Sequence, residues 1–304
     1  MKADMPDTTE PRKLTEGIYL DVPERDYHAD PAPEPSLSAS GAKILLNRSA
    51  RAFQWQHPRL RPSHLEPLVE KLDDAKTAGQ IVHKLVLMRG KEIVEVDAAA
   101  WNTSAAKDER KAIHAAGHIA VLKPKLKELR QVAAHLQARV GYTNQTPTEV
   151  VMVWQDRASD GTRVWCRAMM DAWIEDACRI DDLKITAGEL SEGFVSRQIA
   201  SMSYDLSMAW YRRGLSILRP ELDGRIKARL IFAERKEPFD VFPADLSDGD
   251  LYIADRKCQA AIDMFAAAMT SGQWPGVAPQ PRTVSLPSWA ERQWLERELS
   301  EEAA

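Results

Sequence analysis

The chain has 304 residues, 44% of them hydrophobic, and a formal net charge of -4. That size and apolar content support one substantial buried core and exclude a disordered polymer, while the mildly acidic balance means that any grip on a polyanion must come from a local basic surface. Three scattered cysteines, Cys166, Cys178 and Cys258, exclude a disulfide framework and a four-thiolate cluster. With no apolar run near the ~20 residues of a membrane span and a polar start unlike a secretory signal, a soluble, cytoplasmic protein is expected.

Residues 1 to 35 carry Pro6, Pro11, Pro23, Pro31, Pro33 and Pro35 among many charges and read as a flexible arm, with order beginning at Ser36. Ser38 or Ser40 can cap a short helix through Leu46. From Asn47 to His64 there is no acidic residue, while Arg48, Arg51, Arg59 and Arg61 accompany Phe53 and Trp55. This is the best candidate for a phosphate-facing patch; the alternative is a solvated loop whose aromatics plug into the core. Ala78, Ile81, Val82 and Leu85 follow helical spacing and predict a helix over 71–88, with His83 one step off the apolar stripe. A second helix is expected over 121–140 on Leu122, Leu126, Leu129, Ala133 and Leu136.

After Pro147 the texture changes to β-branched and aromatic runs, predicting strands at 149–155, 162–174, 178–186 and 229–234. Asp160-Gly161 signals a hairpin, and Glu175-Asp176-Ala177 allows another reversal, so the first three strands form a meander. A helix is expected over 193–215. Another contains Cys258, Ala261, Ile262, Phe265 and Met269 and stops near Gly272 and Pro275. The domain therefore spans 36–275. Residues 276–304 read as a tail, in which Trp289 and Trp294 should dock, since large exposed aromatics are costly.

Asp171 stands eleven residues before Asp182, and Lys184 follows Asp182 by two. Side chains two apart in a strand share a face, so Asp182 and Lys184 project together around Leu183. Two carboxylates and a lysine can hold a hard cation and a water against a phosphodiester. A solvated hairpin would carry the same residues, and the spacing alone does not choose between the two.

Several separated stretches tip that balance. Tyr27-His28-Ala29-Asp30, Ser36-Leu37-Ser38-Ala39-Ser40, Gly79-Gln80-Ile81-Val82-His83, Trp101 to Gly117, Glu149, Arg167 to Asp171, Asp182-Leu183-Lys184 and Glu234-Arg235-Lys236-Glu237-Pro238 follow one another in order. The set resembles the exonuclease VIII (RecE-type) family of the PD-(D/E)XK nucleases, encoded by phages and prophages. The resemblance implies an α/β fold with a restriction-endonuclease-like core, a central mixed β-sheet flanked by helices. It also implies an exodeoxyribonuclease that digests linear double-stranded DNA 5′ to 3′ with Mg²⁺, Mn²⁺ being an admissible substitute. In that reading Asp171 and Asp182 bind metal, His83 and Glu149 complete the ligand set, and Lys184 orients water and stabilises charge. Tyr204, Tyr211, Arg212, Arg48 and Arg51 would contact DNA. The family further implies a ring-shaped homo-oligomer and a phage single-strand annealing protein as partner in recombination.

The chain departs from the family pattern in three places. Met170 stands where the family has proline, Ile185 where threonine is common, and Ser207 where a helix motif has glutamine. A catalytically weakened nuclease fold serving as a DNA-binding or assembly module is therefore the alternative. A Cas4-like iron–sulfur nuclease would need four thiolates, one more than the chain contains.

Overall fold

The structure is a computed structural model, and it describes residues 12–65, 74–278 and 280–302. Residues 1–11 of the expected arm, and the start of the helix expected from 71, lie outside the described residues.

In chain order the elements are β1 (Gly17–Tyr19), α1 (Glu24–His28), β2 (Ser36–Ser38), α2 (Ala39–Asn47), α3 (Ala50–Gln56), α4 (Asp74–Leu87), β3 (Ile93–Val96), α5 (Ser104–Ala115), β4 (Ile119–Leu122) and α6 (Lys123–Val140). Then follow β5 (Thr148–Arg157), β6 (Arg163–Ile174), β7 (Arg179–Thr186), α7 (Glu192–Ser201), α8 (Tyr204–Leu218), β8 (Lys227–Glu234), β9 (Val241–Asp245), α9 (Asp248–Ser271) and α10 (Ser288–Glu302). The main sheet runs β1-β5-β6-β7-β8-β9, with β2 paired to β6; a separate two-stranded sheet joins β3 and β4. Pairings β2/β6 and β7/β8 are parallel, and β1/β5, β5/β6, β6/β7 and β8/β9 are antiparallel. This is the expected α/β architecture with a mixed central sheet flanked by helices.

Alternation along the strands explains the layers. Met152, Trp154, Cys166, Met170, Ile180, Leu230 and Phe232 bury one face against α2, α8 and α9. Leu183, Ile231 and Ala233 bury the other against α4 and α6. The approach of α8 to the sheet depends on Gly214, where an added Cβ would lie 2.8 Å from the Trp154 ring. Ser38 caps α2 by accepting a hydrogen bond from Gly41 N, and the left-handed Gly272 ends α9. Among the described residues no helix is long and apolar enough to cross a membrane.

Three expectations need correction. Residues 12–35 are packed and do not form a flexible arm: β1 pairs with β5, Leu14 and Ala32 are buried, and Asp30 is 0% exposed. Asp30 accepts from Ser36 N (3.0 Å), the Ser36 hydroxyl (2.5 Å) and Arg167 Nη1 (3.0 Å), which joins this segment to β6. The helix expected over 193–215 is two helices, because Ser203 takes a left-handed φ of 49° between α7 and α8. Finally, Trp289 and Trp294 do not dock among the described residues: both lie on α10 and remain 64% and 57% exposed.

Candidate active site

The register of three strands gathers the carboxylates. Thr148 pairs with Ala172 and Val150 with Met170, so Glu149 and Asp171 face each other between those rungs. Ala172 pairs with Asp181, which sets Asp182 opposite Asp171 at the next step. Glu149, Asp171 and Asp182 thus stand in a row across β5, β6 and β7.

That row interrupts the regular sheet. Met170 packs with the α8 and α9 side and Ala172 with the α4 and α6 side, although residues two apart in a strand normally share a face. Glu149 has a φ of 49°, a left-handed conformation costing a non-glycine residue about 1–2 kcal/mol. Such strain persists where surrounding structure enforces it, and it concentrates at functional sites.

The β6/β7 ladder ends at this level, and side chains take over its hydrogen bonds. Leu183 N donates to Asp171 Oδ2 at 2.7 Å, and Leu183 O lies 3.1 Å from His83 Nε2. A carbonyl oxygen only accepts, so His83 carries its proton on Nε2. Its Nδ1 faces Asp171 Oδ2 at 3.8 Å. With Nε2 engaged by the carbonyl, Nδ1 is the nitrogen through which a neutral imidazole could ligate a metal. Helix α4 brings His83 here from a neighbouring position on its exposed flank. Gly79, one turn earlier, has no described atom from outside its own helix within 4 Å of where a Cβ would be.

On the other side of the row, Asp182 is 2% exposed and pairs with Lys184 Nζ. The contact lacks hydrogen-bond alignment, and Asp182 Oδ2 has no hydrogen-bond partner among the described residues. Lys184 counters the charge on that oxygen, and a metal ion could share it through a free lone pair. Burial opposes the Lys184 ammonium, but Asp182 and then Asp171 outweigh it and hold its pKa above the ordinary lysine value. Burial lifts the Asp171 carboxyl above the usual range; Asp182 adds to this, while His83 and Lys184 pull the other way. Glu149 is raised likewise, by burial first and then by Glu24 and Asp171.

Helix α8 closes the site. Tyr204 places its ring 4.7 Å from Lys184 Nζ, and burial followed by the charges of Asp182 and Asp171 keeps the Tyr211 phenol protonated well beyond its usual range. Their spacing along one helix, seven residues apart, was the signal that placed them together.

Other expected residues stand elsewhere. Arg212 lines a cleft with Asp156, Asp248 and Asp255, which none of His83, Glu149, Asp171, Asp182 or Lys184 reaches. Arg48 is exposed at the end of α2, and Arg51 is exposed on α3, its backbone N bonded to Pro275 O at 3.0 Å. The basic patch is partly consumed by the fold. Arg59 donates to Ala32 O at 2.7 Å and Pro33 O at 3.0 Å, and Arg61 donates to Trp55 O. Phe53 is buried in the core and Trp55 is exposed.

Sequence reasoning missed Lys43. It projects from α2 to within 5.1 Å of the Tyr204 ring centroid, and burial and the neighbouring Lys184 lower its pKa to about 8. The available signal was a lysine between Ala42 and Ile44 in a helix that otherwise packs, directly after the Ser36–Ser40 stretch.

The donor set of carboxylates and one imidazole suits a hard divalent cation. Among the described residues, no three His, Cys, Asp or Glu side chains close into a metal cage. Mg²⁺ does not require one, because it usually binds through one or two carboxylates, waters and substrate phosphate.

Among the solved structures similar to this chain, two are named as exonucleases. One, a protein assigned as an exonuclease from Eubacterium rectale, has a TM-score of 0.53 and 14% identity, covering 83% of this chain and 90% of its own. A phage-related exonuclease from Haemophilus somnus 129PT has a TM-score of 0.31 and 11% identity, covering 63% of this chain and 95% of its own, too distant a superposition to support a conclusion. No family model and no curated protein matches the sequence. The first likeness establishes a shared α/β fold.

Proposed function

We propose that the protein is a Mg²⁺-dependent nuclease that hydrolyses phosphodiester bonds in linear double-stranded DNA. The observation that carries this reading is the row Glu149, Asp171 and Asp182 with Lys184 paired to it and His83 Nδ1 turned toward it. Exonuclease names among the fold relatives point the same way. Asp171 and Asp182 would hold the cation with His83 and Glu149 beside them, and the ion would polarise the phosphate and acidify a bound water.

The chain's own residues do the rest. Leu183 fixes Asp171 through its N–H and His83 through its carbonyl, so both donors are set before substrate arrives. Lys184 supplies a fixed positive charge where negative charge grows on the phosphate oxygens. The buried Asp182 and the wall formed by Tyr204 and Tyr211 limit water around that charge, which strengthens its effect.

The resemblance extends the proposal to end-dependent digestion, 5′ to 3′, by a homo-oligomeric ring working with a phage-type single-strand annealing protein. Mn²⁺ would replace Mg²⁺. A second reading, a weakened nuclease fold kept as a DNA-binding or assembly module, draws on Ser207. It is short and only 6% exposed, packed within α8, and cannot take over the reach of the glutamine it replaces.

Incubation with linear and covalently closed DNA, with and without Mg²⁺, tests the proposal. Wild type should digest only the linear form and only with metal, and Asp182→Ala should digest neither. Digestion of closed circles would replace the exonuclease with an endonuclease, and digestion in EDTA would remove the metal from the mechanism. An intact linear duplex with metal present favours the second reading.

A further inference from the structure

We propose that Lys43 is a second phosphate-binding cation of the same site, one that grips the DNA backbone from α2 across the ring of Tyr204. The inference rests on the nuclease reading above and assigns a residue outside the motifs that support it.

Three observations carry it. First, Lys43 and Lys184 come from different layers, α2 and β7, and stand over the same aromatic ring, at 5.1 Å and 4.7 Å from its centroid. Second, Lys184 has an anionic partner in Asp182, whereas Lys43 forms no ion pair or hydrogen bond among the described residues and stands against the Tyr204 ring. Burial and the nearby Lys184 disfavour its charge and Asp182 and Asp205 offset them only in part, so an added anion at this place is favourable. Third, the position is fixed. Ala39, Ala42 and Leu45 bury α2 in the core, and Ser38 caps it, so the lysine cannot swing away with its helix.

A phosphate at the Asp171–Asp182 row presents oxygens in more than one direction. Lys184 would meet them from the sheet and Lys43 from α2, with the Tyr204 ring as a surface that attracts both cations. Lysine suits this role as a point charge that needs no bidentate geometry. The ligand class is the phosphodiester backbone, irrespective of base sequence.

The test measures binding of a linear duplex to the full chain with Ca²⁺ in place of Mg²⁺, over a range of salt, alongside digestion with Mg²⁺. Lys43→Met keeps the stem and removes the charge. It should weaken binding about tenfold or more, as loss of one charge-assisted contact does. It should also reduce the slope of log affinity against log salt by about 0.9, the share of one phosphate contact in B-DNA. Its melting temperature should match wild type, and Lys43→Arg should restore the slope, which a purely structural lysine would not produce. Lys43→Gln serves if the methionine variant does not fold.

A folded, uncharged variant with wild-type slope and wild-type digestion overturns the inference and leaves the nuclease reading standing. If wild type itself neither binds nor digests linear duplex, the nuclease reading falls and this inference falls with it.

Discussion

Adjacent aspartates on the two faces of β7 live in opposite environments. Asp181, 0% exposed, accepts hydrogen bonds from Arg179 Nη2 at 2.8 Å and the Tyr142 hydroxyl at 3.0 Å, and Arg179 Nε also points at it. Asp182, 2% exposed, has one lysine beside it and an oxygen without a hydrogen bond. Asp30, at the junction of the N-terminal segment and β6, resembles Asp181, held by Ser36 and Arg167. Folding can offset a buried carboxylate by surrounding it with donors, and it has done so at Asp30 and Asp181. At Asp182 the ion-pair partner is Lys184, whose contact with Oδ2 lacks hydrogen-bond alignment, and at Asp171 the donor is Leu183 N. Burial alone therefore does not mark function in this protein. The donors around each carboxylate differ, and that difference separates Asp182 from Asp30 and Asp181.

The comparison is broken most directly by removing the charge on its functional side. Asp182→Asn keeps shape and should reduce DNA digestion at least about a thousandfold, roughly 4 kcal/mol of barrier. Stability should change by no more than about 1 kcal/mol, because Lys184 retains Asp171 nearby. Gel-based digestion and urea unfolding measure both quantities. A loss of several kcal/mol with retained cleavage would make Asp182 structural and erase the contrast.

Asp30→Ala should show the reverse. It leaves Arg167 and His57 buried without their carboxylate, and removal of one member of such a network costs about 3–5 kcal/mol. Urea unfolding should record that loss, while cleavage per folded molecule at low temperature stays near wild type. If activity vanished in a fully folded variant, Asp30 would belong to the site.

How much of this contrast could be read in advance follows from the range of the interactions. The β5–β7 meander was legible because alternation and the Asp160-Gly161 turn are local signals, and Asp182 with Lys184 follows from strand periodicity alone. The Asp30–Arg167 pair spans 137 residues, and no local pattern announces it. Counting prolines obscured the apolar residues Leu14, Val22 and Ala32, which anchor the segment taken for an arm. Resemblance named Glu149, but only register shows it facing Asp171, since spacing along the chain says nothing about which rungs meet. Lys43 was illegible for the same reason: its partner ring is on α8, and a lysine in a short helix reads as solvated until the packing is known.

A smaller effect comes from pH at the saturated end. Burial, reinforced by Arg167 and opposed by Asp30, lowers the His57 pKa from 6.5 to about 4. The folded state thus holds His57 neutral where the unfolded chain would protonate it. Its contribution is fully present above about 6.5 and is lost as pH falls toward 4, by up to about 3 kcal/mol. Urea midpoints from pH 7.5 to 4 should fall more steeply for wild type than for His57→Gln, whose amide can still donate to Ser36 O. Parallel curves would mean that another group sets the acid limit.

The finest probe is Tyr142→Phe, which removes a single donor from the satisfied face of β7. The phenol reaches Asp181 Oδ2, but Arg179 Nη2 already occupies that oxygen, so no acceptor is orphaned. The cost should stay near about 1 kcal/mol, the net worth of one hydrogen bond, instead of the larger penalty for an unpaired buried group. Digestion of linear DNA should be unchanged, because Tyr142 packs among the α4 and α6 cluster while Lys184 and Tyr204 lie across the strand. If this substitution slowed cleavage tenfold with its stability cost as small as expected, the two faces would be coupled through the backbone of Leu183. Asp181 would then help to aim Asp171 and His83, and the division between a structural and a functional aspartate would no longer hold.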